Sequence, residues 1–327
     1  MNNQKKHLFD VLKQMLAKAF KRQCPMMERK GTYDMQMLDW RICSSCKDSC
    51  RYCFASEKLP AVGLDQERII LDKIKNSNIE AVNITGGEPL IDAERCFRII
   101  DSLHHSGKSV YLSTNGYQVL EYLTHIRETV SLLGLPLDGP DEESNMACGR
   151  NRGSFGQVLQ ILESHAAKDI PIKIGTVVTK KNLSCRNLEG LAELMDHHPV
   201  NIWRIYEMLP ENRAIQNRAD LELAPKDLEE LIHIVRRISE KKHRWHVELV
   251  TRRMRNANYM IIRPNGTVII PIDDGNQVDE VLLGSLLDMS LPELIEKWNK
   301  VARERNDIFY SKRRLSDLGF NTLEVKG

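Results

Sequence analysis

Between Leu38 and Met208, short apolar runs alternate with helix-period segments about six times. The strand-like runs are Leu38–Cys43, Ala81–Thr85, Ser109–Ser113, Val130–Leu137, Ile172–Val178 and Ile202–Met208. Helical patterns fall at Leu64–Asn76, Ala93–Ser106, Phe155–Ala167 and Leu188–Met195. Such alternation implies parallel strands joined by right-handed crossovers. The expected fold is α/β, a partial (β/α)6 parallel barrel with a C-terminal extension. A glycine or polar cluster follows most of the strands, and in barrels that rim carries the chemistry.

The expected organisation has three parts. Residues 1–35 hold an amphipathic helix (5–22) and a linker, 36–210 the barrel core, and 211–327 an extension that closes the barrel. In the extension, Pro225–Lys242 reads as a charged amphipathic helix, and another runs from about Leu291 to Arg305. Tyr259–Ile262 and Thr267–Pro271 flank Arg263-Pro264-Asn265-Gly266, a hairpin signal through its Asn-Gly pair.

Composition excludes several classes. With 42% hydrophobic and 28% charged residues the chain is not mainly disordered. Lys+Arg 47 against Asp+Glu 45 gives no global case for a nucleic-acid duplex or a membrane as partner. No apolar run approaches the roughly 18 residues of a spanning helix. The first residues lack the apolar region of an export signal, so a cytoplasmic, reducing setting is expected. The basic flank of the first helix (Lys5, Lys6, Lys13, Lys18, Lys21, Arg22) suits a membrane surface. Packing of its apolar stripe on the barrel is the preferred reading.

Of eight cysteines, four fall within the eleven residues from Cys43 to Cys53, at 43, 46, 50 and 53. In a reducing compartment such a cluster holds metal or does chemistry. Four thiolates suit a closed zinc tetrahedron, although only three residues separate the two CxxC pairs. Alternatively Cys46, Cys50 and Cys53, as CxxxCxxC, suit three irons of a [4Fe–4S] cube and leave the fourth open. Spacing alone leaves both readings standing. The remaining cysteines read as small buried hydrophobes.

The motifs that follow carry a family. CxxxCxxC after the first strand, with Tyr52 before its last cysteine, resembles the radical S-adenosylmethionine superfamily. Gly86-Gly87-Glu88-Pro89 after the second strand resembles its GGEP motif, and Ser113-Thr114-Asn115-Gly116 after the third its ribose-contacting turn. Leu137-Asp138-Gly139-Pro140 resembles its SxDG segment, with Leu137 in place of Ser or Cys. Each motif alone reads as an ordinary turn; their order at successive strand ends carries the resemblance, over roughly residues 36–210.

The resemblance implies a barrel of the radical S-adenosylmethionine type. It also implies a [4Fe–4S] cluster on Cys46, Cys50 and Cys53 and S-adenosylmethionine at the open iron. The cofactor-binding residues it implies are Tyr52, Gly86, Gly87, Glu88, Pro89, Ser113, Asn115 and Arg150. Reductive cleavage of the sulfonium then yields a 5′-deoxyadenosyl radical that abstracts hydrogen from a small substrate. The electron donor implied is a flavodoxin or ferredoxin. Gly86 and Gly87 are expected to let the backbone approach the methionine amino group, Pro89 to fix the turn, and Glu88 to accept a hydrogen bond or buttress the loop.

Later segments resemble the viperin family, antiviral radical enzymes and their microbial relatives that dehydrate nucleoside triphosphates. They are Asp39-Trp40, Val82-Asn83, Gly149–Gly153, Ile172–Val178, Trp203–Tyr206 and Tyr259–Ile262. That resemblance implies Asp39 and Asn83 near the nucleotide, Lys173 and Arg204 facing its phosphates, and Tyr259 as the catalytic hydrogen or proton donor. The chain departs from that pattern at Ala81, Ile202 and Gly175, which stand where the family has Lys, a basic residue and Asn, and at Asp39, which replaces Asn. Fewer cations weaken a triphosphate contact. The alternatives are a peptide or sugar-type substrate and, further off, a zinc-binding interaction protein. No cysteine lies beyond Cys185, which argues against auxiliary-cluster peptide maturases and the molybdenum-cofactor cyclase type.

Overall fold

Each apolar run becomes a strand that buries alternate residues. In β3 (Ser109–Ser113), Val110 and Leu112 are fully buried, while Ser109, Tyr111 and Ser113 are half-buried. One face therefore packs under helices and the other lines the barrel. A computed structural model describes residues 37–55, 58–257 and 259–310. The expected N-terminal helix and linker lie outside these residues.

Six parallel strands follow in chain order: β1 (Met37–Arg41), β2 (Ala81–Thr85), β3, β4 (Leu132–Pro136), β5 (Ile172–Val178) and β6 (Ile202–Glu207). The helices between them are α1 (Leu64–Lys75), α2 (Ala93–His105), α3 (Leu123–Thr129), α4 (Glu142–Ala147), α5 (Ser154–Glu163) and α6 (Cys185–His197). Local chemistry sets their starts. The Asp92 carboxylate accepts the Arg95 N–H at 3.1 Å to cap α2, and the Ser184 hydroxyl accepts the Asn187 N–H at 3.1 Å to cap α6. The Ser184 cap begins α6 three residues before Leu188, where the apolar pattern starts. In α2, Cys96, Phe97, Ile99, Ile100 and Leu103 form the buried stripe. Burial of each large side chain there contributes about 1.5–3 kcal/mol.

The extension folds onto the same sheet. Helix α7 (Pro225–Ser239) leads to β7 (His246–Val250), which pairs parallel with β6. On the far side, β8 (Ile261–Ile262) pairs parallel with β1 and antiparallel with β9 (Thr267–Asp273). The β8–β9 link is the expected Asn265-Gly266 turn, and Gly266 has φ +81°, a region favoured by glycine. Strand β10 (Val278–Ser285) then pairs with β9, and α8 (Leu291–Tyr310) follows. The ten-stranded sheet runs β10-β9-β8-β1-β2-β3-β4-β5-β6-β7. The expectation that the extension closes the barrel is corrected here: its strands lengthen the sheet at both edges, and β10 and β7 remain the ends. Among the described residues no helix is long and apolar enough to cross a membrane.

Candidate active site

All the motif loops leave the C-terminal ends of parallel strands and meet at one rim. The cysteine loop follows β1, and Gly86–Pro89 follows β2. The two are joined through backbone: Ile42 N–H donates to Thr85 O (2.8 Å), Gly87 N–H to Cys43 O (2.7 Å) and Glu88 N–H to Ser45 O (2.7 Å). This approach gives the glycines a structural reason of their own. A Cβ on Gly87 would stand 2.2 Å from Ser45 O, and one on Gly86 2.5 Å from Cys43 O. The space they leave is filled by the cysteine loop itself. Gly87→Ala is therefore expected to cost about 1–3 kcal/mol, as overpacking does, and to lower iron loading after anaerobic reconstitution. An unchanged urea midpoint and iron content would contradict this.

Glu88 is the buttress of the rim. Its carboxylate, 4% exposed, accepts from Leu90 N–H (3.0 Å), the Thr114 hydroxyl (2.6 Å) and Asn115 N–H (2.6 Å). Burial pushes its carboxyl above the ordinary range, against the pull of those three donors. Pro89 is buried and opens the short helical turn Pro89–Asp92. The Asn115 amide donates to Asp48 (3.1 Å), and its oxygen accepts from Tyr117 N–H (3.2 Å). Asp48 also accepts from Asn151 at 2.6 Å, so the cysteine loop is tied to the turns after β3 and β4.

A second hub, Asp138, lies after β4 at 0% exposure. It accepts from the Tyr52 hydroxyl, Arg150 Nε (2.8 Å) and Val177 N–H (2.8 Å). Arg150 Nη1 reaches Cys50 Sγ at 3.7 Å, and its guanidinium lies 5.3 Å from the Tyr52 ring centre. Burial opposes the charge on Arg150, but Tyr52, Asp138 and Cys50 outweigh it and hold the guanidinium charged. Burial pushes the Tyr52 phenol well above its usual range. Asp138 belongs to the Leu137–Pro140 motif. Its partners come from segments far apart in the chain, which no local pattern reports.

The cysteines divide by partner. The Cys43 thiol donates to Glu88 O at 3.3 Å. Cys46 Sγ accepts from Asp48 N–H (3.4 Å), and Cys50 Sγ accepts from Arg150. A turn with Cys53 N–H donating to Cys50 O (3.1 Å) joins the last two. Burial raises all four thiols, Cys46 to about 11, so metal binding there displaces protons. Among the described residues no three His, Cys, Asp or Glu side chains converge as around one ion. A cube takes one thiolate on each of three irons, a wider spacing than ligands around one ion. The donor set fits it: three thiols on one short loop, two already accepting N–H bonds, and a guanidinium beside them.

Inside the barrel, a chain of hydrogen bonds crosses three strands. Ser113 Oγ donates to Asn83 Oδ1 (2.9 Å), and Asn83 Nδ2 donates to Asp39 Oδ1 (2.7 Å). Lys173 on β5 is 9% exposed. Arg204 Nε donates to Glu248 of β7 at 2.5 Å, so it is already neutralised. Tyr259 lies before β8. Its hydroxyl accepts from Arg255 Nε (3.0 Å) and Nη2 (2.5 Å). The Arg255 guanidinium also lies 4.9 Å from the Phe54 ring centre and 5.8 Å from that of Tyr206. It thereby links β6 to the segment before β8 across the barrel mouth. Burial pushes the Tyr259 phenol up to about 12, against the Arg255 charge. Tyr206 and Tyr259 lie in segments that carry the resemblance, whereas Arg255 and Phe54 belong to no motif.

Residues 40–186 match the radical SAM superfamily model, which places this segment, with its cysteine loop and rim, in that superfamily. Members use a [4Fe–4S] cluster and S-adenosylmethionine. The chain is similar to an S-adenosylmethionine-dependent nucleotide dehydratase of Fibrobacter sp. (strain UWH6). The two are 30% identical over 190 residues, 53% of this chain and 56% of that protein. It is also similar to the mycofactocin maturase MftC of Mycobacterium tuberculosis, 30% identical over 192 residues, 56% of this chain and 47% of that one. The chain thus spans about half the length of the curated relatives it matches. In fold it resembles Streptococcus suis SuiB bound to S-adenosylmethionine, with a TM-score of 0.63 at 15% identity over 91% of this chain and 72% of that one.

Proposed function

We propose that this chain is a radical S-adenosylmethionine enzyme acting on a small polar substrate of the nucleotide class, held against the inner face of the partial barrel. The observation that carries the reading is the hydrogen-bonded row Asp39–Asn83–Ser113 on three adjacent strands, immediately below the rim that bears the cysteines. A row of fixed donors and acceptors suits a base or ribose edge. The nucleotide dehydratase among the relatives supports the same class.

The chain's own groups have distinct work. Cys46, Cys50 and Cys53 would hold the cluster, with S-adenosylmethionine bound beside it near Gly86–Pro89, Asn115 and Arg150. When bound, these cofactors supply one-electron cleavage of the sulfonium and so a hydrogen-abstracting radical. Glu88 fixes two rim loops to each other, and Asp138 fixes Tyr52 and Arg150 beside Cys50. Asp39 and Asn83 orient the substrate, and Lys173 faces its acidic end. Phe54, Tyr206 and Tyr259, clasped by Arg255, exclude water from the mouth. The Tyr259 hydroxyl, held by Arg255 and kept protonated by burial, would serve as proton donor to the substrate. A flavodoxin- or ferredoxin-class protein supplies the electron.

The test is anaerobic reconstitution followed by measurement of 5′-deoxyadenosine with each ribonucleotide and nucleoside. At least one nucleotide is expected to raise the rate about tenfold, equivalent to some 1.4 kcal/mol of barrel-derived stabilisation. If none does, while a peptide or a sugar does, the nucleotide reading fails.

A further inference from the structure

The segment that follows β6 is fastened to the cysteine loop. It passes through two short helical turns, Arg213–Gln216 and Arg218–Leu221. Its side chains donate to backbone carbonyls in the second half of the loop. Arg213 Nη1 donates to Cys50 O (3.3 Å), Asn217 Nδ2 to Arg51 O (3.1 Å) and Asn212 Nδ2 to Phe54 O (2.5 Å). In return, Arg51 Nε donates to Asn217 Oδ1 (3.0 Å), and Arg51 Nη2 pairs with Asp220 at 2.7 Å. Asn212 adopts φ +51° and ψ −121° at this junction, a conformation that is costly for a residue with a Cβ and persists only where its surroundings enforce it. Packing supplies that enforcement. Ala214 and Leu221 are fully buried in one apolar group with Cys50, Tyr52, Cys148 and Met208, and Cys53 and Val177 lie against it.

Charge is distributed unevenly over this junction. Arg41 pairs with Glu280 at 2.8 Å and lies 3.9 Å from Glu211. Arg150 pairs with Asp138 at 2.8 Å. Arg213 instead places Nη1 on the Cys50 carbonyl, an acceptor with a dipole and no net charge. Burial pushes the Cys53 thiol up, and among the charges that oppose it Arg213 comes first, ahead of Arg41 and Arg150. The half-buried Arg213 guanidinium therefore acts on two of the proposed ligands, on Cys50 through its carbonyl and on Cys53 through space. The apolar group around both sulfurs limits screening by water.

A [4Fe–4S] cube held by thiolates gains negative charge when it is reduced, and its potential follows the net charge, hydrogen bonding and solvent exposure around it. A cation fixed nearby favours the reduced form. We infer that Arg213 is a positioning residue for electron entry: it holds the loop at Cys50, and its charge raises the potential at which the cube takes up one electron from an external reductant, while Asn212 and Asn217 serve the shape of the loop alone. The inference rests on the proposed cluster ligands and on no choice of substrate.

The test is a redox titration of the anaerobically reconstituted full chain with dithionite and mediator dyes, followed by visible absorbance and electron paramagnetic resonance. Iron and sulfide content and the far-UV spectrum are the folding controls. Arg213→Gln keeps a donor for Cys50 O and loses the charge; Arg213→Lys keeps the charge. At a fixed potential, the ratio of reduced to oxidised cube is expected to fall about tenfold in Arg213→Gln, a downward shift of about 59 mV for one electron, and to stay within about twofold of wild type in Arg213→Lys. Asn217→Ala is expected to leave the ratio unchanged but to lose iron to a chelator about tenfold more readily, as removal of an outer support does. A ratio near that of wild type in Arg213→Gln, or the same fall in Arg213→Lys or Asn217→Ala, overturns the assignment to charge. If Arg213→Gln holds no iron, Arg213→Lys decides: an unchanged ratio supports the inference, and a tenfold fall overturns it. A wild type that assembles no cube on Cys46, Cys50 and Cys53 overturns the ligand reading and this inference with it, whereas a cube whose potential ignores Arg213 overturns this inference alone.

Discussion

Cys50→Ala is expected to leave the anaerobically reconstituted protein without an intact cube and without 5′-deoxyadenosine above background. The loss should exceed the about 10–100-fold that removal of an outer-shell partner costs a metal site. Cys50 sits between the other two proposed ligands in the loop, and Arg150 Nη1 is already on its sulfur at 3.7 Å. Without this thiol, only Cys46 and Cys53 remain to hold three irons. Cys43→Ser supplies the contrast. Cys43 is engaged with Glu88 O, and a serine hydroxyl can donate to the same carbonyl, so iron content and cleavage are expected to persist. Iron and sulfide analysis with visible spectroscopy reads both variants. Equal loss of metal in the two would return the assignment to a four-thiolate site.

Asp138→Ala has the largest expected effect on stability. It strands the Arg150 guanidinium, the Tyr52 hydroxyl and the Val177 N–H in a region where Asp138 itself is fully buried. Removing one partner of a buried ion pair costs about 3–5 kcal/mol. Urea unfolding measures it. Arg150→Met in the same background should recover much of the loss, because an apolar side chain needs no counter-charge there. A single-variant loss below about 1 kcal/mol, the range of an exposed pair, would show that water replaces the carboxylate. Failure of the second change to recover stability would assign the loss to Tyr52 and Val177.

The parts of this molecule legible in the sequence are those written in local chemistry. The six apolar runs, the Asn265-Gly266 turn and the cysteine loop each carry their signal within a few residues. Strands β7 and β10 do not. His246-Val247-Glu248-Leu249-Val250 and Val278–Ser285 mix charge with apolar residues, because each is an edge strand with one side unpaired. Glu248 is on β7, and its pairing with Arg204 joins residues 44 apart. The glycines show the same limit. Their spacing marks a tight turn, but what occupies the missing Cβ is Cys43–Ser45, some forty residues earlier. The Tyr52–Asp138 bond spans 86 residues, and only the fold brings its ends together.

The parallel order of β1 to β6 separates two tasks along the length of every strand. Loops beyond the strand tips carry the thiols and the backbone cradle, while the proposed substrate contacts Asp39, Asn83 and Lys173 lie further down, on the strands themselves. Exchanges at those lower positions leave the upper loops untouched. A lineage can therefore change diet without rebuilding its engine, and two descendants with near-identical tips can process unrelated molecules.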